Sequence, residues 1–281
     1  MVVQPYNFNI ADERPIEYGL WDEDVPCYRC DWPEVMEQTT LTEHRALLFR
    51  PGLGTAELEV SVVYYRAGYD PREYDQAGQV TRSTLELSRA IKCPDVLTHL
   101  TGFKTVQQAL AQPGMAERFL PPASANKVRE TFMPLLAMET APTGLAARMI
   151  AMDPKQAENY VLKPNLEGGG HNIYRSAIPR FLSTVPHDHW HKYILMRLIE
   201  PPADTTGVLM TPEALYQGAV ISELGVLGAC VWRRKGAGDG GGLEVLRNEV
   251  AGWTFKTKPA DIDEMSVVKG YGCFDCPLLE G

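Results

Sequence analysis

The segment Tyr160-Val-Leu-Lys163-Pro-Asn-Leu-Glu167-Gly168-Gly169-Gly170-His171-Asn172 joins a short apolar run to a lysine, a glutamate and three consecutive glycines. Apolar residues bounded by Pro and Gly predict a buried strand that ends at a tight loop. Glycines let backbone N–H groups approach an anion, and a nearby lysine adds the point charge that phosphates favour. A glutamate beside phosphate is favourable with Mg2+ between them. The segment therefore predicts a nucleotide site with a metal ion.

A glycine loop without any ligand is the competing interpretation, because Gly-rich motifs often match by chance. The lysine precedes the glycines, unlike the P-loop order, and the G-x-G-x-x-G spacing of dinucleotide sites is absent. Residue types alone leave both interpretations open. A second glycine-rich stretch, 236–242, lacks a strand-borne Lys and Glu, and we interpret it as a disordered loop tip.

The composition sets limits on the class of protein. The 281 residues leave room for a sizeable core and two domains, and 44% hydrophobic with 22% charged residues is ordinary for a soluble globular chain. A net charge of −9 disfavours nucleic-acid binding. The sequence contains neither a membrane-length apolar run nor a secretory leader pattern, so we expect a cytoplasmic protein. Met1-Val2-Val3 resembles the inside of a strand, which predicts a further part upstream.

Two clusters raise the question of a metal site. The C-x-x-C pairs Cys27/Cys30 and Cys273/Cys276 have metal or redox spacing, but they lie at opposite ends of the chain. Reduced cysteines are the favoured interpretation, with zinc as the alternative. His187-Asp-His189-Trp-His191 could place three imidazoles on one strand face, although its position after Pro186 favours a polar surface connector.

The strand predicted over Val60–Tyr65 ends at Arg66. Ligands of α/β sheets bind beyond the carboxyl ends of strands, where Arg66 could bind a substrate carboxylate. A surface arginine at a turn is the alternative. Other patterns predict strands over 27–32, 193–196 and 217–231, and helices over 80–92, 96–111 and 178–182, with helix plus loop over 121–148.

Six blocks in fixed order resemble the eukaryotic glutathione synthetase family of ATP-grasp ligases and cover nearly the whole chain. They are VVYYRAGYDPREY (62–74), KCPDVLTHLTGFKTVQQAL (92–110), VLKPNLEGGGHNIY (161–174), YILMRLIEP (193–201), ISELGVLG (221–228) and KTK (256–258). The resemblance implies an α/β fold: an N-terminal α/β substrate-binding domain over 1–92, then an incomplete ATP-grasp domain over 93–281.

The resemblance also implies the roles of individual residues. Arg66 and Lys256 match catalytic positions, and Glu167 matches a Mg2+ ligand. The positions that match substrate-binding residues are Arg66, Tyr69, Lys256, Val267 and Val268. The positions that match ATP-binding residues are Lys104, Lys163, Gly168, Gly169, Gly170, Asn172, Tyr174, Met196, Arg197, Leu198, Ile199, Glu223, Lys258 and Glu264.

The activity implied is carboxylate activation with ATP and Mg2+. ATP would phosphorylate the cysteinyl carboxylate of γ-glutamylcysteine, and glycine would displace phosphate to give glutathione, ADP and phosphate. Lysines and Mg2+ supply the positioning and charge neutralisation that phosphoryl transfer needs. The reactive acyl phosphate calls for a closing lid that excludes water. A homodimer or a separate N-terminal half is the implied macromolecular partner, with no nucleic acid and no membrane.

The chain also departs from the family pattern. The family's ERNIFDQR segment corresponds to Asn7-Phe-Asn-Ile-Ala-Asp-Glu13-Arg14 here, so that two substrate-contacting side chains differ. Lys256 replaces an arginine and loses its bidentate fork. The lid sequence GGVAAG corresponds to Met265-Ser-Val-Val-Lys-Gly270, which removes two adjacent glycines. Two alternatives therefore stay open: a catalytically silent nucleotide-binding relic, and a divergent ATP-grasp ligase with another substrate.

Overall fold

The computed structural model describes residues 1–6, 9–52, 54–166, 170–202, 205–210, 215–236 and 241–277. The chain divides into two compact units, Met1–Arg197 and Leu198–Gly281. The boundary predicted at 92/93 stays a prediction.

The described residues form helices and strands in a mixed order. The helices are α1 Ile10–Asp22, α2 Val35–Gln38, α3 Gln76–Leu87, α4 Val96–Leu100, α5 Lys104–Leu110, α6 Pro122–Arg129, α7 Pro142–Met152, α8 Pro154–Ala157 and α9 Ala177–Leu182. The strands are β1 Val2–Val3, β2 Cys30–Asp31, β3 Thr39–Leu41, β4 Leu47–Phe49, β5 Leu58–Glu59, β6 Val62–Tyr64, β7 Ile91–Cys93, β8 Leu135–Ala137, β9 Tyr160–Pro164, β10 Ile173–Tyr174, β11 Tyr193–Arg197, β12 Thr206–Met210, β13 Leu215–Arg234, β14 Leu243–Pro259 and β15 Cys273–Phe274. Short 3-10 helices cover Trp32–Glu34, Pro71–Glu73, Ala116–Arg118 and His187–Lys192.

A small parallel arrangement opens the chain. β1 pairs with β2, and β6 pairs with β7, in both cases in parallel. A parallel bridge between Val2 and Tyr65 connects the two pairs. The apolar core beside these strands includes Val35, Leu47 and Leu85, each at most 2% exposed. Arg66 follows the end of this strand group, where the carboxyl ends of β1 and β6 lie side by side.

The antiparallel sheet β10-β9-β11-β8 forms the centre of the first unit. Its core-facing side contains Leu162 and Leu195, both 0% exposed, which pack with side chains of α7 and α9. Ala147 and Ala151 in α7 are small enough to bring that helix close to the strands. The apolar run that opens the quoted segment therefore lies on β9, an inner strand of this sheet, as predicted.

The second unit is built on the sheet β12-β13-β14-β15. Its two long strands pair antiparallel from Val220 opposite Pro259 out to Arg234 opposite Leu243, with irregularities after Leu227 and Val231. The prediction of an extended strand over 217–231 is confirmed. The predicted tip 236–242 lies mostly outside the described residues.

Several predicted elements differ from the observed ones. The helix predicted over 96–111 is two helices, α4 and α5, because the chain turns at Thr101-Gly102-Phe103. The helix predicted over 80–92 ends at Leu87, and Ile91 instead donates its backbone N–H to the carbonyl of Ser61 in β7 pairing. The region 121–148 contains the unpredicted strand β8, which forms through pairing with β11. The predicted strand 27–32 is shortened to Cys30–Asp31.

The His187–His191 connector is a 3-10 helix whose three histidines are exposed. Trp190 inside it is 3% exposed and donates a hydrogen bond to the carbonyl of Val185, so this connector also closes the core. A search of the described residues for helices that could cross a membrane found none with the necessary length and apolarity.

Candidate functional site

Three predicted ATP-binding side chains share one face of the central sheet. Lys163 lies opposite Ile194 in the β9–β11 register, and Met196 lies opposite Val161. Tyr174 of β10 also lies opposite Val161. Directly paired residues point to the same side of a sheet, and this side is opposite to Leu162 and Leu195 in the core. All three predicted side chains are half-buried. On the same face they flank Val161 and Ile194, which are buried.

Asn165 connects this face to the helix that begins at Lys104. The Asn165 side-chain oxygen accepts hydrogen bonds from the Thr105 backbone N–H at 3.0 Å and from the Thr105 hydroxyl at 3.2 Å. α5 has no side-chain cap of its own, so an asparagine sixty residues away satisfies one of its exposed N–H groups. These two bonds hold the first turn of α5, which begins at Lys104, beside the end of β9, which bears Lys163.

The glycine loop is described from Gly170 onward. Glu167, Gly168 and Gly169 lie outside the described residues, so the proposed Mg2+ ligand and two of the proposed phosphate-binding glycines have no structural account. Gly170 has a φ of +89°, a conformation that favours glycine. Asn172 then donates a hydrogen bond to the Tyr174 hydroxyl at 3.4 Å, which links the loop exit to β10.

The predicted substrate-binding residues Arg66 and Tyr69 lie on a loop organised by Glu73. One oxygen of the Glu73 carboxylate accepts hydrogen bonds from the backbone N–H groups of Gly68 and Tyr69 at 3.2 Å and of Asp70 at 2.9 Å. The other oxygen accepts from the Gln4 amide at 3.3 Å, and Gln4 in turn accepts from the Tyr69 hydroxyl at 3.1 Å. A single carboxylate therefore fixes both the backbone of this loop and the direction of its tyrosine.

Trp32 forms the floor under the same loop. Gly68 has a φ of +77°, and a Cβ at this position would lie 2.7 Å from the Trp32 ring. The Tyr74 hydroxyl donates a hydrogen bond to the Gly68 carbonyl at 2.5 Å, and the indole N–H of Trp32 donates to the Glu73 carbonyl at 3.2 Å. Close packing and satisfied hydrogen bonds make this a preformed loop.

Arg66 belongs to a chain of alternating charges. Its Nε lies 3.5 Å from Glu13 Oε1, and its Nη2 lies 3.8 Å from Asp12 Oδ2. Glu13 is buried and also binds Arg29 at 2.6 Å, and Arg29 binds the buried Glu17 at 2.5 Å. Both glutamates lie on the inner side of α1, four residues apart, and their charges are compensated by the arginines between and around them.

Two side chains of this loop have shifted pKa values. The Arg72 side chain, which hydrogen-bonds Asp70, holds the pKa of the Asp70 carboxyl below its usual value, and the charge of His171 lowers it further. Burial raises the pKa of the Tyr69 hydroxyl, and the nearby Glu73 carboxylate adds to that increase.

In the second unit, three predicted side chains share one strand face. Lys256 lies opposite Glu223, and Lys258 lies opposite Ile221, in the β13–β14 register. Lys256 Nζ is 2.8 Å from Glu223 Oε1, so a predicted catalytic cation and a predicted nucleotide-binding anion form an ion pair. The buried Lys258 donates a hydrogen bond to the Ile262 carbonyl. On the opposite face, Thr257 is held by Ser222 and Asp275, each at 2.9 Å.

The predicted lid residues Val267 and Val268 lie in a small closed turn. Ser266 and Tyr271 bridge with backbone hydrogen bonds of 2.8 and 3.1 Å, and Gly270 has a φ of +79°. The turn therefore keeps one left-handed glycine although two family glycines are replaced. Val268 is 63% exposed, and Glu264 precedes the turn as a half-buried side chain.

The structure groups some predicted residues and separates others along the chain. Lys163, Tyr174 and Met196 share one sheet face of the first unit, and Asn172 hydrogen-bonds Tyr174. Lys104 begins the helix that Asn165 links to the end of β9. Arg197 ends β11, while Leu198 and Ile199 follow it without regular structure and belong to the second unit with the Glu223, Lys256 and Lys258 face. The only signal for Asn165 and Glu73 in the sequence is local: an Asn after Pro in a loop, and a Glu three residues after Asp70.

Metal-binding clusters and cavities were the other possible indications of a site. No group of three or more His, Cys, Asp or Glu side chains arranged for a metal occurs among the residues that the structure describes. A mainly apolar cavity of about 650 Å³ lies in the first unit against Ile16, Leu20, Leu47 and Phe49, and its lining contains none of the predicted site residues.

Proteins of one known family resemble this chain over most of its length. Residues 28–279 match the family described as eukaryotic glutathione synthase, ATP binding domain. The glutathione synthetase large chain of Schizosaccharomyces pombe is 36% identical over 96% of this chain and 52% of its own length. The glutathione synthetase of Dictyostelium discoideum is 33% identical over 100% of this chain and 57% of its own length. The chain thus spans about half the length of these curated relatives.

A solved structure has the same fold. It is described as a glutathione synthetase-like effector from Globodera pallida in apo form, and it aligns with a TM-score of 0.63 over 99% of this chain and 56% of that chain. The sequence identity of 19% limits this likeness to the fold. The predicted α/β class is confirmed.

Proposed function

The chain belongs to the eukaryotic glutathione synthase family, within its ATP-binding domain, and on that premise we propose that it acts as a glutathione synthetase-like ligase. The reaction proposed joins γ-glutamylcysteine and glycine at the expense of ATP, giving glutathione, ADP and phosphate. The proposal includes the site residues named from the resemblance, the domain boundary at 92/93 and a cytoplasmic location. It also includes a homodimer or a separate N-terminal half as partner.

The observation that supports the proposal is the hydrogen-bonded link between the two elements that bear Lys104 and Lys163. The Asn165 side chain holds the first turn of α5 against the end of β9, and the two lysines come from elements that it joins. Two ammonium groups in a half-buried setting suit a polyphosphate, because its negative charges need compensation from fixed cations. Tyr174 and Met196 beside them offer a polarisable surface for a purine ring.

In this proposal, one group of residues binds the nucleotide and another binds the dipeptide. Lys104 and Lys163 would hold phosphates, and Arg66 and Tyr69 would hold the dipeptide on the loop that Glu73 fixes. A preformed loop lowers the entropic cost of orienting the substrate carboxylate toward the transferring phosphoryl group. The assignment of Mg2+ to Glu167 rests on the resemblance alone, since that residue lies outside the described ranges.

The test begins with calorimetric titration of Mg-ATP. We expect the parent protein to bind and the Lys163→Ala variant to bind about tenfold to a hundredfold more weakly, because a charge-assisted contact is lost. Lys155→Ala is the matched control: the same change at an exposed lysine of α8, which should keep the parent affinity. An equal affinity in all three proteins, or no heat with the parent protein, contradicts the nucleotide site.

Turnover separates the remaining interpretations. ADP release that requires both γ-glutamylcysteine and glycine supports glutathione synthesis. Release with another amine in place of glycine supports the divergent ligase, and Mg-ATP binding without any release supports the silent relic.

A further inference from the structure

The exposed Asp12 beside Arg66 is a charge that the proposed reaction does not use. Its side chain is 60% exposed, whereas that of Glu13, the next residue, is 0% exposed. Both carboxylates face the same guanidinium, one from the open side and one from the interior. Their different exposure gives them different roles.

Glu13 serves the interior of the cluster. It lies 3.5 Å from Arg66 Nε and 2.6 Å from Arg29 Nη1, so two arginines engage it away from solvent. A buried carboxylate in this position orients the Arg66 guanidinium, and a ligand cannot reach it.

Asp12 contacts Arg66 more loosely. The separation of 3.8 Å between Asp12 Oδ2 and Arg66 Nη2 is longer than a hydrogen bond, so an incoming group can bind to either partner. The two charges are adjacent, opposite in sign and accessible. An α-amino acid end presents a carboxylate and an ammonium on one carbon, and it matches this pair.

The net charge of the cluster favours the same ligand. The cluster contains three guanidinium groups and three carboxylates, which are those of Arg14, Arg29 and Arg66 and those of Asp12, Glu13 and Glu17. The formal charges of these six side chains balance. A zwitterionic group leaves that balance unchanged, whereas a lone carboxylate adds an uncompensated anion beside Asp12.

We infer that Asp12 is a specificity-determining residue that binds the α-ammonium of the γ-glutamyl group while Arg66 binds the neighbouring carboxylate. The inference rests on the proposed function, because it takes the dipeptide as the ligand of the Arg66 loop. It assigns the selection of a zwitterionic amino-acid end, over a simple dicarboxylate, to an aspartate in the first turn of α1.

The experiment compares two ligands that differ by one group. γ-Glutamylcysteine and glutarylcysteine, in which hydrogen replaces the α-ammonium, are titrated calorimetrically into the full chain with Mg-ATP present. The parent protein should prefer γ-glutamylcysteine by about fivefold, the value of one partly exposed ion pair. In Asp12→Asn the preference should fall to nearly one, because only the ammonium-bearing ligand loses a contact.

Asp22→Asn, the same change at the exposed end of α1, is the control and should keep the parent preference. An unchanged preference in Asp12→Asn overturns the inference. An equal loss of affinity for both ligands also overturns it, since Asp12 would then act through the position of Arg66. If the parent protein binds neither ligand although it binds Mg-ATP, the proposed substrate is wrong, and the inference fails with it.

Discussion

Gly68 occupies a left-handed backbone conformation at the point where the Arg66 loop presses on Trp32. Two separate effects therefore exclude a side chain at this position: the φ of +77° and the 2.7 Å approach to the indole ring. Another glycine, Gly54, has nearly the same φ of +80°, with nothing within 4 Å of its missing Cβ. Substitutions at Gly68 and Gly54 therefore distinguish the cost of backbone strain from the cost of close packing.

Gly68→Ala should lower the free energy of unfolding by about 2 to 4 kcal/mol, because left-handed strain and displacement of Trp32 both oppose the methyl group. Gly54→Ala should cost about 1 kcal/mol, from strain alone. Urea unfolding followed by tryptophan fluorescence measures both values. Equal costs for the two variants would show that the Trp32 contact contributes nothing.

Among the strands, β13 and β14 differ from β9 and β11 in how much of their apolar surface is exposed. Leu195 in β11 is 0% exposed, whereas Leu246 in β14 is 53% exposed. Val226, Val245, Val250 and Trp253 on the β13–β14 ribbon are exposed as well. Hydrogen bonds between the two strands, rather than a packed core, hold this ribbon in place within the second unit.

The same substitution should therefore have different costs in the two strands. Leu195→Ala leaves a cavity in the core and should destabilise the protein by about 3 kcal/mol. Leu246→Ala should change the free energy of unfolding by less than about 0.5 kcal/mol. Chemical denaturation of both variants tests the contrast. A large cost at Leu246 would show that another surface covers the ribbon in solution.

Elements with a strong local pattern were predictable from sequence, and those that depend on distant partners were not. β9 and β11 were predicted because each is a short apolar run between polar residues. The break between α4 and α5 and the strand β7 were missed. Ile91 continues the helical periodicity of the sequence, but it lies in β7, which pairs with β6. There its backbone N–H donates a hydrogen bond to the Ser61 carbonyl, and this bond favours the strand.

For the molecule as a whole, the structure predicts how the free energy of unfolding changes at high pH. Cys30 lies in the core of the first unit, and burial raises the pKa of its thiol to about 11. The unfolded chain releases this proton near pH 9, its ordinary value, while the folded protein keeps it. The contribution to stability is therefore complete below about pH 9 and is lost as the pH rises toward 11.

The parent protein should lose about 2 kcal/mol more than Cys30→Ala between pH 8.5 and pH 10.5, since only the parent contains the buried thiol. Urea unfolding at the two pH values measures the difference. Cys276→Ala, at an exposed cysteine, should behave like the parent protein. Identical pH dependence in the parent and Cys30→Ala would contradict the raised pKa.

Local sequence patterns predict a strand, Lys163, a glycine loop and a second strand in that order, and the family resemblance implies their roles. These signals are local, because apolar periodicity and glycine content act within a few residues. Tertiary structure alone decided which groups meet. Asn165 reaches Thr105 across sixty residues, and Arg66 meets Asp12 and Glu13 from another element. Such contacts depend on how strands pair and helices pack, and no pattern within a single segment specifies them.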